Sequence, residues 1–163
     1  MVVAPEGFKD DECFIPKEIL EKEGAVVQIA SLNSGIATSE NGKNLDVDFA
    51  ADEVKAEDFD AVIFVGGAGM NEHVKEPSFV DLARDFYDKG KIVAAICVAP
   101  VILANAGILS AKSVTSWSGA EAELVEAGAI WTGELVQADG KIITARGPSA
   151  AGKFGRAMVK FLS

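Results

Sequence analysis

The chain reads as an α/β protein, a three-layer α/β/α sandwich around a mostly parallel sheet, and three observations predict it. Short apolar runs rich in β-branched residues recur at 25–30, 60–65 and 91–96, continuous enough to be strands covered on both faces. Segments with apolar residues at helical spacing stand between them, the alternation expected of a parallel sheet flanked by helices. No linker, repeat or shift in composition divides the 163 residues, so one domain over 1–163 is expected. A chain of that length buries roughly two-thirds of its unfolded surface.

Each element follows in order. Residues 1–4 form a short buried strand closed by Pro5-Glu6-Gly7; a strand entered this late implies a natural chain that begins a few residues earlier. Asp10 or Asp11 caps a helix through about Lys22, with Phe14, Ile15, Ile19 and Leu20 on its apolar side. Pro16 inside it predicts a kink or a shifted first turn. Gly24 ends the helix, and 25–30 is the second strand. Residues 33–48 carry the turn formers Ser34-Gly35 and Asn41-Gly42 between short runs, a small hairpin at the sheet edge. Residues 51–59 form a short helix or turn, and 60–65 a third strand ending in Gly66-Gly67.

Phe79, Val80, Leu82, Ala83 and Phe86 mark a helix over 78–89 that stops at Gly90. The run 91–96 is the fourth strand; it breaks at Cys97, and a helix from about Ala99 to Ala106 follows, with Pro100 in its first turn, where a missing N–H is harmless. Then come a strand near 114–116, a helix at 120–127 and short strands at 130–132, 135–137 and 142–144. The closing helix, 149–161, directs Phe154, Met158, Val159 and Phe161 inward and Lys153, Arg156 and Lys160 outward.

Fifteen basic residues against 25 acidic ones leave a net charge of −10. That balance argues against nucleic acid or an anionic membrane as partner, since both require basic patches. Two cysteines, Cys13 and Cys97, make no disulfide framework, so a reducing, cytoplasmic setting is expected. No apolar run approaches the roughly 18 residues of a membrane span, and the N-terminus lacks the basic region and apolar core of a signal peptide.

Ligands of such a sheet bind outside the carboxyl ends of its strands. There the turn after the first strand, Gly66-Gly67 and Cys97 converge. A cysteine at the sheet edge and over a helix N-terminus has its thiolate favoured; an inert buried thiol is the alternative. Gly66-Gly67 is either a plain tight turn or a close approach of backbone to sulfur, with the Gly67 and Val98 N–H groups as donors to an oxyanion. It has neither the P-loop lysine nor the dinucleotide spacing. Cys13 reads as a partly buried packing residue, and Trp117 and Trp131 as core or subunit contacts. The acidic clusters 46–57 and 121–126 read as solvated faces, and no metal motif is found.

The segment Ala94-Ala95-Ile96-Cys97-Val98-Ala99-Pro100 resembles the nucleophile elbow of the PfpI-type intracellular protease and parkinsonism-associated deglycase superfamily, the DJ-1/PfpI family. Glu12, in Asp10-Asp11-Glu12-Cys13, falls where that family carries a glutamate on its first helix. Asp60-Ala61-Val62-Ile63-Phe64-Val65-Gly66-Gly67 resembles its third-strand motif, and Ala145-Arg146-Gly147-Pro148 its Ser-Arg-Gly-Pro segment. The resemblance spans nearly the whole chain. It implies a flavodoxin-like, class I glutamine amidotransferase-like fold and a Glu12 carboxyl that reaches the Cys97 sulfur, raised in pKa while the thiol is lowered.

Two departures narrow the chemistry. Peptidase-like members follow the nucleophile with histidine, where this chain has Val98; others bring a histidine to the position of Trp117, which here would wall the pocket with Arg146, Gly147 and Pro148. The one histidine, His73, lies past the glycine turn and would complete a Cys–His pair only by folding back or across a subunit interface. The resemblance thus implies a cytoplasmic, cofactor-free and metal-free homodimer or higher oligomer. Its Cys97 thiolate, with Glu12, attacks a small-molecule electrophile, a reactive carbonyl, as in glyoxalases and deglycases. The alternatives are a stress-response protein whose Cys97 is oxidised to sulfinate, and a peptidase or amidase completed by His73 of a neighbouring subunit.

Overall fold

The computed structural model describes residues 1–163. Its eleven strands are β1 Glu6–Phe8, β2 Ala30–Ser31, β3 Gly35–Ser39, β4 Asn44–Val47, β5 Phe49–Ala50, β6 Ala61–Phe64, β7 Ile92–Ile96, β8 Ser113–Val114, β9 Ile130–Trp131, β10 Val136–Asp139 and β11 Ile142–Ala145. The helices are α1 Asp10–Lys22, α2 Pro77–Asp88, α3 Pro100–Asn105, α4 Glu121–Glu126 and α5 Ala151–Leu162.

The central ladder runs β10-β11-β7-β6. β6 and β11 flank β7 in parallel, and β10 folds back antiparallel on β11. Beyond β6 the ladder continues through Val2, which bridges in parallel to Phe64 on one side and Ala30 on the other; β2 then pairs with β5.

Strand residues alternate between two faces, which creates the layers. Val62, Phe64, Val93 and Ala95 meet Phe79, Leu82, Ala83 and Phe86 of α2, Val101 to Leu103 of α3 and Leu124 of α4. Ile63, Ala94, Ile96, Ile143 and Ala145 meet Leu20 of α1 and Ala151, Phe154 and Met158 of α5. Helix α1 lies close on α5: a methyl group at Gly155 would stand 3.0 Å from Ile19 Cδ1 and 3.1 Å from Pro16 Cα. α1 runs unbroken over Pro16, whose missing N–H leaves the Glu12 carbonyl without its helical donor.

Several expectations are corrected. Residues 25–29 are not a strand, because pairing begins only at Ala30. The opening strand is reduced to the Val2 bridges, while Glu6–Phe8, expected as a turn, pairs in parallel with β3. The cap of α1 is Lys9, not an aspartate. Asp10 is buried in the first turn, accepting from Ser39 Oγ at 2.7 Å and from the Asn41 N–H at 3.3 Å. Ile15 on α1 and Phe161 on α5 face outward, since the neighbouring helix and the sheet occupy the opposite sides. The β3–β4 hairpin forms at 35–47 as expected.

Candidate active site

The carboxyl ends of β6 and β7 are followed by the two turns that build the site. After β7 the chain enters Cys97 with φ +67, a left-handed conformation that costs a non-glycine residue about 1–2 kcal/mol. Hydrogen bonds on both sides hold it there. The Cys97 N–H donates to the Ala145 carbonyl at 3.0 Å, and the Cys97 carbonyl accepts the Trp117 N–H at 2.9 Å. α3 starts three residues on, at Pro100.

After β6, Gly66 is used for its missing side chain. A methyl group there would lie 2.5 Å from Glu12 Oε2, 2.6 Å from Cys97 Cβ and 2.8 Å from the Ile96 carbonyl oxygen. Gly67, at φ +116, turns against the backbone of Gly7, Phe8 and Lys9, and the Lys9 N–H donates to the Gly66 carbonyl at 3.0 Å. The Gly67 and Val98 N–H groups lie beside the Cys97 thiol and favour its ionised form. Gly147 closes the far side: a methyl group on it would come within 3.8 Å of Glu12 Oε1.

Glu12, in the first turn of α1, is 0% exposed, and neither carboxyl oxygen has a hydrogen-bond partner of good geometry. Burial pushes its pKa up to about 7; the nearby Cys97 side chain, the Gly66 N–H and Lys9 oppose the shift without cancelling it. An unpartnered carboxyl in a dry pocket is a costly arrangement, and such groups gather at functional sites.

The Cys97 thiol moves opposite to the expected direction. Burial first, and then the Glu12 carboxylate, push it up to about 12, against the pull of the Gly67 and Val98 N–H groups. Two adjoining anions in one dry pocket repel, so near neutral pH the pair shares a single proton. Glu12 is the group poised to accept it.

The other residues singled out by sequence separate into near and far. Trp117 binds Cys97 through its backbone, but the residue is 49% exposed and its ring lies over Gly119. The Arg146 guanidinium turns to the Gly133 carbonyl, 3.4 Å away, and Pro148 is exposed at the start of a 3-10 turn. His73 packs edge-on against Phe79, 6.2 Å between ring centres, on the α2 side of the fold. Cys13 is fully buried beside Phe8, Val3 and Val65, more deeply than expected, and burial lifts its thiol to about 12. Nowhere do three His, Cys, Asp or Glu side chains gather as a metal site. A cavity of about 550 Å³ lies away from this site, at the amino end of β6, among Met1, residues 23–28 and the end of α5.

Lys9 and Glu40 stand beside the site without a signal in the sequence. Glu40, at the tip of the β3–β4 hairpin, accepts the Ala68 N–H at 2.8 Å and the Lys9 ammonium at 2.9 Å. Nothing in Ser39-Glu40-Asn41-Gly42 marks it beyond a turn former, because its partners are 28 and 31 residues away.

Known proteins resemble this chain over nearly its whole length. The deglycase PfpI of Pyrococcus furiosus is 35% identical over 155 residues, covering 95% of this chain and 93% of its own. Protein dj-1beta of Drosophila melanogaster is 34% identical over 156 residues, 94% of this chain and 83% of its own. The crystal structure of a ThiJ/PfpI domain protein from Brachyspira murdochii superposes with a TM-score of 0.97 at 37% identity, covering 99% of this chain and 93% of that one. No helix is long and apolar enough to cross a membrane. The family model described as DJ-1/PfpI matches residues 1–161, and the chain belongs to that family.

Proposed function

We propose that this protein is a cysteine-dependent, deglycase-like enzyme acting on small reactive carbonyls such as α-oxoaldehydes. One observation carries the reading: the buried, unpartnered Glu12 carboxyl and the Cys97 side chain meet across Gly66, under the Gly67 and Val98 N–H groups. Relatives named deglycases support it.

The steps follow from the chemistry of the groups. Ionised Glu12 takes the thiol proton as sulfur attacks the aldehyde carbon, and a hemithioacetal forms. The carbonyl π-electrons move to oxygen, where the Gly67 and Val98 N–H groups stabilise the charge. Glu12 then returns the proton to that oxygen. For methylglyoxal, Glu12 next removes the hydrogen of the former aldehyde carbon as a proton, leaving its electron pair in an enediolate; the proton returns to the adjacent carbon while the hydroxyl proton passes from the first oxygen to the second, giving a lactoyl thioester. Water hydrolyses the thioester to lactate and frees the thiol, so atoms and electrons balance without an oxidant or a cofactor.

The test is consumption of methylglyoxal by Cys97→Ser and Glu12→Gln. Each substitution is expected to abolish turnover, and full activity in either overturns the reading. Intact-protein mass after mild peroxide addresses the redox alternative, for which two oxygens added at Cys97 with no carbonyl turnover would be the signature. A relative named as a cysteine protease, YraA of Bacillus subtilis, favours the peptidase alternative, for which loss of hydrolysis in His73→Ala would be the signature; within this chain the His73 ring packs on Phe79.

A further inference from the structure

We infer that Lys9 and Glu40 are positioning residues: their ion pair fastens the glycine turn over Cys97 and brackets the Glu12 carboxyl with opposite charges. The inference rests on the Glu12–Cys97 reading above.

Three contacts support it. Glu40 grips the turn from outside: one oxygen accepts the Ala68 N–H at 2.8 Å, immediately after the Gly67 amide that lies beside the thiol. Its other oxygen holds the Lys9 ammonium at 2.9 Å. Lys9 reaches the same turn through its own backbone, donating to the Gly66 carbonyl. The hairpin tip that carries Glu40 is fixed independently, by Asp10 accepting from Ser39 and Asn41. A displaced hairpin therefore displaces the donors at the sulfur.

The same pair brackets Glu12 electrically. The charged or titratable groups acting on its carboxyl are Cys97 across the turn, Lys9 one helical turn before it, and Glu40 from the hairpin; Lys9 favours the ionised form and Glu40 opposes it. Asp11 and Asp10 act on the pair itself, the first on Lys9 and the second on Glu40. The opposite signs give a test that a purely structural role would not pass.

The readout is the rate of Cys97 alkylation by iodoacetamide against pH, which needs no assumption about substrate. With one shared proton, the wild-type rate climbs to a break near the Glu12 pKa of about 7 and then levels. Glu40→Gln keeps an oxygen for Ala68 but loses the charge, and is expected to move the break down by about half a pH unit. Lys9→Met is expected to move it up by a similar amount. Glu40→Ala also releases Ala68 and is expected to lower kcat for methylglyoxal about tenfold more than Glu40→Gln does, with KM little changed. Lys17→Met, which breaks the surface pair with Glu21 on α1, serves as the control with no shift.

Shifts in the same direction, or none, overturn the inference while leaving the Glu12–Cys97 pair standing. A wild-type profile with no break near pH 7 removes the pair and this inference with it. Opposite shifts without any methylglyoxal turnover uphold the inference and reject only the carbonyl reading.

Discussion

Glu12 and Cys97 are brought together by a residue that has no side chain. A methyl group at Gly66 would lie 2.5 Å from the carboxyl oxygen of one and 2.6 Å from Cβ of the other. The first helix and the turn after the fourth expected strand thus approach each other through a gap the width of one missing carbon.

Gly66→Ala is therefore expected to separate the pair. The third atom in the way is the Ile96 backbone oxygen, 2.8 Å off, which cannot rotate aside, so the cost is about 1–3 kcal/mol. Thermal melts should fall by several degrees, and methylglyoxal turnover should be lost. Gly119→Ala is the contrast: the atoms it would meet belong to the ring of half-exposed Trp117, which can swing outward, so its melting point should stay close to wild type. A Gly66→Ala variant with normal turnover would contradict the close approach.

Shared protonation has a signature in Glu12→Gln. In the wild type each thiolate formed above the break near pH 7 must leave its proton on a carboxylate, so the alkylation rate stays level. With glutamine there is no second site, and the rate should keep rising about tenfold per pH unit until the thiol itself titrates. At pH 9 the variant should alkylate far faster than wild type while turning over no substrate. A Glu12→Gln profile that also levels near pH 7 would show that another group makes the break.

The same carboxyl carries a stability cost with a defined sign. Folding raises the Glu12 pKa from 4.5 to about 7, so the folded state binds the proton more tightly than the unfolded state. Its contribution is most favourable below about pH 4.5, is lost as pH rises to about 7, and is constant above that. The loss is about 3 kcal/mol for the shift from 4.5 to about 7. Glu12→Gln should melt about 6–12 °C above wild type at pH 8 and gain much less at pH 4. Calorimetry at the two pH values checks it; equal differences at both would mean that charge burial is not the cause.

Much of this was legible in the chain. The runs 60–65 and 91–96, the helices near 78–89 and 149–161 and the hairpin at 33–48 follow from periodicity and turn residues, and the fold has an element at each. These are local signals, carried by residues close in sequence. The run 25–30 predicts a strand that does not form, for the opposite reason: its apolar character is local, but pairing requires a neighbour, and the ladder reaches it only at Ala30 through Val2. Ile15 and Phe161 were likewise assigned inward by spacing alone, whereas the packing of α1 on α5 decides which stripe is covered.

At the site the division is sharper. The strand-to-helix break at Cys97, the acid at Glu12 and the glycines at 66 and 67 are visible as residue types in order, and the family resemblance connects them. The sequence alone therefore determined the fold class and which residues the proposed chemistry draws on. Only the tertiary structure decided the thiol's direction. Proximity to a helix end argues for a lowered pKa, yet burial and the facing carboxylate raise it to about 12. Glu40 was beyond sequence reading too, because its role depends on a hairpin tip folding back onto Lys9 and Ala68. Charge and burial act through space, and the distance between Glu12 and Cys97 along the chain says nothing about the width of Gly66.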